Sequence, residues 1–159
     1  MPNWCDNILI VTGPDSELKR FSLETTGQGE LDFEMILPTP PDTTGSRNEG
    51  WWDWRVSAAG WGTKWAADIH DINHSKEKIV FSFHSAWSPP EGIVRQLGAM
   101  YPGLRFHILF AEAGSDFAGE LDVQGTEVLA ACCHEGEPAA AFALKHLGQD
   151  WAGWCSEDE

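Results

Sequence analysis

The stretch that decides the fold is residues 79–101, IVFSFHSAWSPPEGIVRQLGAMY. Its first half alternates apolar and polar residues, which predicts a strand with one buried face. Its second half opens with Ser88-Pro89-Pro90-Glu91, where a Ser cap, an early Pro and a Glu three residues after the cap predict a helix start. The apolar strand residues are Ile79, Phe81, Phe83 and Trp87, and the apolar helix residues are Ile93, Val94, Leu97, Met100 and Tyr101.

Patterns on either side of this unit complete an α+β arrangement. Gly13-Pro14 marks the passage from a first strand to a short first helix, and Asn73-His74-Ser75 marks the turn of a hairpin. The order of elements predicts a ferredoxin-like antiparallel sheet with two main helices on one face. The predicted strands cover residues 4–12, 31–37, 66–72, 79–87 and 104–110.

The C-terminal third adds further elements to this sheet. Residues 117–123 and 128–133 predict two more strands, and Pro138–Leu147 predicts a closing helix that stops at Gly148. Residues 42–60 are rich in Thr, Gly, Ser, Asn and Trp without a clear period, which predicts a long insertion loop. We therefore expect a single domain over residues 1–150, with a Trp-rich insertion at 42–60 and an acidic tail at 151–159.

The charge of the chain excludes a conventional nucleic-acid binder. Ten Lys and Arg stand against 25 Asp and Glu, for a formal net charge of −15, and neutralising phosphates requires a basic surface. The acidity is concentrated, because residues 112–159 hold eleven acids and the single base Lys145. The start MPNWCDNILIV has no basic segment before a long apolar one, and no apolar run is long enough to cross a membrane. We therefore expect a cytoplasmic protein with no membrane contact.

Four short motifs carry a resemblance to a known family. They are MPNWCDN at 1–7, WGTKW at 61–65, AWSPP at 86–90 and EAGSDFAG at 112–119. In order and spacing they resemble the YubB-type ferredoxin-like domain family across about residues 1–125. The resemblance implies a ferredoxin-like fold and a setting on plasmids, phages and other bacterial mobile elements. It implies no catalytic residues, since that family has no assigned activity, and the chain departs from the pattern from Thr126 onward.

Acidic residues of the C-terminal third form the first candidate site. Residues two apart on a strand stand about 6.5 to 7 Å apart on one face, close to two phosphate steps along a nucleic-acid strand. A row of carboxylates at that spacing would compete for a basic groove, whereas the alternative is a surface that only aids solubility. The predicted row is Asp116, Glu120 and Asp122, extended by Glu127, Glu135, Glu137 and the tail.

Tryptophans of the insertion form the second candidate site. Trp51, Trp52 and Trp54 are the residues expected to be exposed, and exposed Trp is typical of interfaces. The block Trp61–Trp65 is instead expected to pack the loop onto the sheet, with Lys64 lying over an indole.

The remaining polar residues point to no metal or cofactor. His70 and His74 would share one face only on a helix, and that segment is predicted to be a strand and turn. No Gly-rich phosphate loop, dinucleotide motif or nucleophile elbow is present in the sequence. His84 and His107 could meet on neighbouring strands near Asp116 or Glu120 as acid-base machinery, although half-exposed surface histidines explain the same pattern.

These observations favour a non-enzymatic protein that binds another protein. The prediction is an anti-CRISPR or anti-restriction protein, a monomer or weak homodimer without a cofactor, whose acidic surface occupies the basic nucleic-acid-binding groove of a host defence complex. The alternative is a small-molecule or peptide-binding module that uses the Trp-rich loop. An enzyme built on His84 and His107 is the third possibility.

Overall fold

The computed structural model describes residues 3–27, 30–40, 54–57 and 59–151. Its main feature is a six-stranded antiparallel sheet with the strand order β4-β5-β1-β6-β7-β8, beside a two-stranded ribbon of β2 and β3. The strands are β1 (Trp4–Thr12), β2 (Thr26–Gly27), β3 (Glu30–Leu31), β4 (Asp68–His74), β5 (Lys78–Ala86), β6 (Arg105–Glu112), β7 (Phe117–Gln124) and β8 (Glu127–Glu135). The helices are α1 (Asp15–Thr25), α2 (Phe33–Ile36), α3 (Glu91–Met100) and α4 (Glu137–Leu147).

The central strand is β1, which pairs with β5 on one side and β6 on the other. Leu9 lies opposite Phe81 across the first pairing and opposite Ile108 across the second. Taken as β1-α1-β4-β5-α3-β6, the chain places two hairpin-linked halves around this strand, which is the ferredoxin-like arrangement. The predicted fold class is therefore confirmed.

The main core lies between the sheet and the helices α1 and α3. Phe21 of α1 is fully buried and makes edge-to-face contacts with Phe81, Tyr101 and Phe106, whose ring centroids lie 5.5 to 6.1 Å away. Such aromatic pairs add stability beyond the area they bury. The helix stripe predicted from the sequence faces this core, since Ile93, Val94, Leu97 and Tyr101 are all buried while Met100 packs partly against it.

A second, smaller core lies on the opposite face of the sheet. Ala111 and Ala118 alternate along β6 and β7 with residues that face α1 and α3, and they pack instead against Ala139 and Ala143 of α4 and against Trp151. The small side chains let the helix approach the sheet closely. The predicted C-terminal strand and helix are both present. The helix covers part of the sheet face that lies opposite the main core.

One predicted strand is wrong. Residues 31–37 alternate as a strand does, but α2 forms over Phe33–Ile36. The carboxylate of Asp32 accepts the N–H of Glu34 and caps the helix, and Phe33 and Ile36 are both buried at the spacing of one helical turn. The cap and the core contact together outweigh the alternation.

The turn before α3 also differs from the prediction. Trp87 adopts a positive φ of 70° and is 47% exposed, so it does not share the buried face of β5. Ser88 does not cap α3, because its hydroxyl donates to the Gly62 carbonyl at 2.5 Å, and the helix begins at Glu91 without a side-chain cap. The strand predicted to follow Trp65 is present and begins at Asp68, and residues 61–67 form an irregular segment before it.

Tyr101 leads to a prediction about pH. It is the single tyrosine of the chain, it is buried, and its hydroxyl donates to Glu24 Oε2 at 2.9 Å. Burial and the Glu24 carboxylate together raise the pKa of Tyr101 from its ordinary 10.0 to about 12. The raised pKa adds stability at pH values below 10 that is lost as the pH rises from 10 towards 12. At pH 10 we expect almost no tyrosinate absorbance from the folded protein, whereas Tyr101 should be about half-ionised in the urea-unfolded protein. Equal tyrosinate absorbance in the two states would contradict the buried contact.

Candidate functional site

The two ends of the sheet differ in charge. We call one the Trp4 end, where β1 and β7 begin and β5, β6 and β8 end; the other is the Thr12 end. Lys78 and Arg105 lie at the Thr12 end beside Glu77 and Glu127, so positive and negative charges alternate there. Carboxylates at the Trp4 end include those of Asp6, Asp68, Glu112, Asp116, Glu135, Glu137 and Asp150.

Asp122, the last member of the predicted acidic row, is not a free surface charge. It is 4% exposed, and its two oxygens bind Arg105 Nε at 2.9 Å and Nη2 at 2.5 Å. The hydrogen bond to Asp122 raises the pKa of Arg105 above its already high ordinary value. The pair is bidentate and structural, so the expectation that Asp122 projects a carboxylate from the sheet is wrong.

Glu120 is likewise engaged within the sheet. Its Oε2 lies 3.1 Å from His107 Nε2, and both side chains are partly buried. One contact of the suggested acid-base arrangement, between His107 and Glu120, is therefore present. His84 does not join them, because β1 separates β5 from β6, and His84 lies opposite Asp6 whereas His107 lies opposite Ile10.

Three other predicted acids gather at the Trp4 end. Glu135 lies opposite Phe117, directly after Asp116, and the Gly136 N–H donates to the Asp116 carbonyl at 3.2 Å. Asp116, Glu135 and Glu137 are exposed, and none of them forms an ion pair within residues 3–27, 30–40, 54–57 and 59–151. We call these three residues the acidic corner. Glu127 is exposed too, but at the Thr12 end.

Of the three candidate tryptophans, Trp51 and Trp52 lie outside the described residues. Trp54 is partly buried and packs against the main core, so it is not the exposed side chain expected from the sequence. Trp61 is buried, and its indole N–H donates to the Leu37 carbonyl at 2.7 Å. The Thr63 hydroxyl donates to the Ala86 carbonyl of β5 at 2.7 Å, which confirms that this block packs on the sheet. Lys64 Nζ lies 5.7 Å from the centroid of the Trp65 ring, as predicted. Ligand binding by Trp51 and Trp52 stays a prediction.

A pocket that was not predicted from the sequence lies at the Trp4 end. Its volume is about 580 Å³, and one wall is a chain of hydrogen bonds. Asp6 accepts from Gln149 Nε2 at 2.6 Å through one oxygen and contacts His84 Nε2 at 2.5 Å through the other, and Gln149 in turn accepts from the Trp151 indole. The lining residues are Asn3, Trp4, Asp6, His84, Glu112, Ala113, Gly114, Gln149, Asp150 and Trp151.

Glu112 is the chemically unusual residue of this pocket. It is 2% exposed, and its Oε1 accepts the Gly114 N–H at 2.7 Å. Its Oε2 is buried and has no hydrogen-bond partner in the described part of the chain. The motifs MPNWCDN and EAGSDFAG supply six of the residues that line the pocket. These two motifs are the feature of the sequence that could have indicated the pocket.

The strand order and helix placement define the class of the protein as an α+β, ferredoxin-like domain. Comparison with protein families gives the same answer. Residues 60–146, more than half of the chain, match the family described as the ferredoxin-like domain in Api92-like protein, and the chain belongs to that family. No curated protein and no solved structure matches the chain.

The match to this family extends beyond Thr126, through β8 and nearly all of α4. The acidic corner therefore lies inside the family domain, not in an appendage to it. Among the helices described, none is both long and apolar enough to cross a membrane.

Proposed function

We propose that this chain is a non-enzymatic cytoplasmic protein that inhibits a host defence complex by binding its basic nucleic-acid groove. The supporting observation is the acidic corner, where Asp116, Glu135 and Glu137 are exposed and unpaired among the described residues of a molecule with a net charge of −15. The resemblance to YubB-type proteins of plasmids and phages favours an anti-CRISPR or anti-restriction role. The protein acts as a monomer or weak homodimer, without a cofactor and without contacting nucleic acid directly.

The mechanism is electrostatic and steric competition. Unpaired carboxylates at one end create a negative potential that steers a basic partner towards that end, because charges at the Thr12 end largely cancel. Association is then fast at low salt and slows as ionic strength rises, since screening acts over about 10 Å at 0.1 M salt. The corner, and not the face of β7, is the contact surface, because Glu120 and Asp122 already bind His107 and Arg105.

This proposal predicts a partner that is released by salt and by nucleic acid. The tagged protein is incubated with lysate of a bacterial host at low salt, and bound proteins are eluted first with salt and then, in a second experiment, with excess DNA or guide RNA. We expect a nucleic-acid-binding protein in both eluates. If the captured protein stays bound at high salt and in the presence of excess DNA, competition for a basic groove would be contradicted.

A further inference from the structure

The outer edge of β8 is open. This strand is the last of the sheet and pairs with β7 on one side, so its other side ends the sheet. In an edge strand, every second residue directs its N–H and C=O away from the neighbouring strand. In the part of the chain that the structure describes, no backbone group bonds to the outer side of residues 130–135. The helix α4, which follows β8, packs through Ala139 and Ala143 on one face of the sheet.

The two edges of the sheet differ in how they are protected. At the opposite edge, β4 has a bulge in its middle, between Ile69 and Asp71, and its sequence DIHDINH is largely polar. Bulges and charged side chains are the usual means by which proteins prevent an edge strand from pairing. The bulge of β8 lies near its start, and from 130 to 135 its ladder with β7 is regular. Residues 127–135 also contain no Lys, Arg or Pro, so the edge of β8 is the better suited to pairing.

The middle of β8 has no charged side chain. Residues 128–133 are Val, Leu, Ala, Ala, Cys and Cys. Val128 and Leu129 are 41% and 42% exposed, and Ala131 and Cys133 are exposed as well. Cross-strand side-chain contacts stabilise a sheet, and the small side chains of Ala131 and Cys133 leave room for larger apolar ones on an added strand. The edge therefore offers apolar contacts together with free main-chain groups.

Charge favours one kind of partner for this edge. Glu135 is the last residue of β8, and the Gly136 N–H donates to the Asp116 carbonyl at 3.2 Å, so the acidic corner lies where the edge ends. Glu127 lies beyond the bulge, outside the regular ladder. The complementary segment is thus apolar with Lys or Arg at one end. A second copy of the chain fits less well, because each copy has a net charge of −15 and its β8 carries no Lys or Arg.

We propose that β8 binds an extended segment of the partner protein as an added strand, with apolar residues along 130–133 and Lys or Arg beside the acidic corner. Main-chain hydrogen bonds along the free edge hold the segment, and the corner sets its orientation. Antiparallel pairing continues the pattern of the sheet and places the basic residues at the N-terminal end of the segment. This inference rests on the proposed function, in which a basic partner meets the corner.

A synthetic peptide tests the pairing in the absence of any nucleic-acid-binding protein. The probe is acetyl-Lys-Lys-Thr-Val-Thr-Val-Thr-amide with a fluorescent label at its C-terminal end, and binding to the full chain is measured by fluorescence anisotropy at low salt. One matched peptide is N-methylated at every internal amide, so it keeps the side chains and loses the strand hydrogen bonds. The other has Glu in place of both Lys residues.

Two double variants of the protein complete the design. Glu135→Gln with Glu137→Gln neutralises two acids of the corner, and Asp71→Asn with Glu77→Gln neutralises two exposed acids away from β8. Both variants change the net charge equally. Amide hydrogen exchange, followed by NMR with and without saturating peptide, reports which strand of the wild-type protein the peptide covers.

We expect the lysine peptide to bind at least tenfold more tightly than either matched peptide. The corner variant should weaken that binding at least fivefold, and the variant away from β8 less than twofold. Bound peptide should slow amide exchange in residues 130–135 at least tenfold and leave β4 unchanged, because the added strand occupies the N–H groups that point outward from β8.

Four results would overturn the proposal. They are no binding of the lysine peptide at millimolar concentration, equal binding of the N-methylated peptide, protection that falls on β4 or on no strand, and a dimer in sedimentation whose β8 amides are protected without peptide. The last would show that a second copy occupies the edge. Failure of the peptide alone rejects strand addition and leaves electrostatic competition standing, whereas peptide binding without a nucleic-acid-binding partner in lysate rejects the proposed function and supports the edge.

Discussion

Replacing Phe81 by alanine is expected to lower the free energy of unfolding by about 3 to 5 kcal/mol. The side chain is fully buried on β5, opposite Leu9 of the central strand and Ile72 of β4, and its ring meets Phe21 of α1 at 6.1 Å. Truncation removes the apolar transfer energy and leaves a cavity that the neighbours on β1, β4 and α1 cannot fill completely. Urea unfolding followed by far-UV circular dichroism measures the loss.

The matched control for Phe81 is an apolar residue that the fold leaves in water. Leu23 on α1 is 82% exposed, so Leu23→Ala should change the free energy of unfolding by less than about 0.5 kcal/mol. A loss below about 1.5 kcal/mol for Phe81→Ala would mean that the residue faces outward. The register of β5 against β1 would then be shifted by one residue.

Replacing Gly92 by alanine is expected to cost about 3 kcal/mol, even though alanine is the better helix former. A Cβ at Gly92 would lie 1.7 Å from the Gly60 carbonyl oxygen and 3.0 Å from the Trp61 carbonyl carbon. Both contacts are with backbone, so no side-chain rotation relieves them. The Gly92 N–H also donates to the Trp61 carbonyl at 2.9 Å, which fixes the first turn of α3 against the segment that follows the insertion.

A second glycine provides the control for Gly92. At Gly103 an added Cβ would meet Glu17 atoms no closer than 3.7 Å, which is ordinary contact with a flexible side chain. Gly103→Ala should therefore be nearly neutral in the same urea experiment. If Gly92→Ala were equally neutral, the close approach of α3 to residues 60–61 would be contradicted.

Much of the sheet could be predicted because burial leaves a period-two pattern. Phe81 and Phe83 on β5, and Phe106 and Ile108 on β6, alternate with polar neighbours and do face one core. The same rule failed at residues 31–37, where alternation is compatible with either structure over so short a stretch. At that segment the cap by Asp32 and the burial of Phe33 and Ile36 favour a helix. Burial depends on tertiary contacts, which the local sequence does not contain.

The candidate site was harder to predict, because register decides which charges remain free. Asp122 and Arg105 are seventeen residues apart and meet diagonally across β6 and β7, as do Glu120 and His107. No local pattern predicts that pairing. The residues that line the pocket are even further apart in the sequence. Residues 3, 4, 6, 84, 112–114 and 149–151 meet only when the sheet forms and the segment after α4 reaches β1.

The central claim is that the acidic corner makes the contact with a nucleic-acid-binding partner. Two triple variants that change the net charge equally test it. One carries Asp116→Asn, Glu135→Gln and Glu137→Gln in the corner, and the other carries Asp15→Asn, Glu77→Gln and Glu127→Gln at the Thr12 end.

The measurement is the association rate of each variant with the partner captured from lysate, at low salt, by surface plasmon resonance. We expect the corner variant to associate at least tenfold more slowly than the wild type and to fail to displace nucleic acid from the partner. The Thr12-end variant should associate within about threefold of the wild type. Equal slowing of both variants would contradict the claim, because net charge and not the corner would then determine binding.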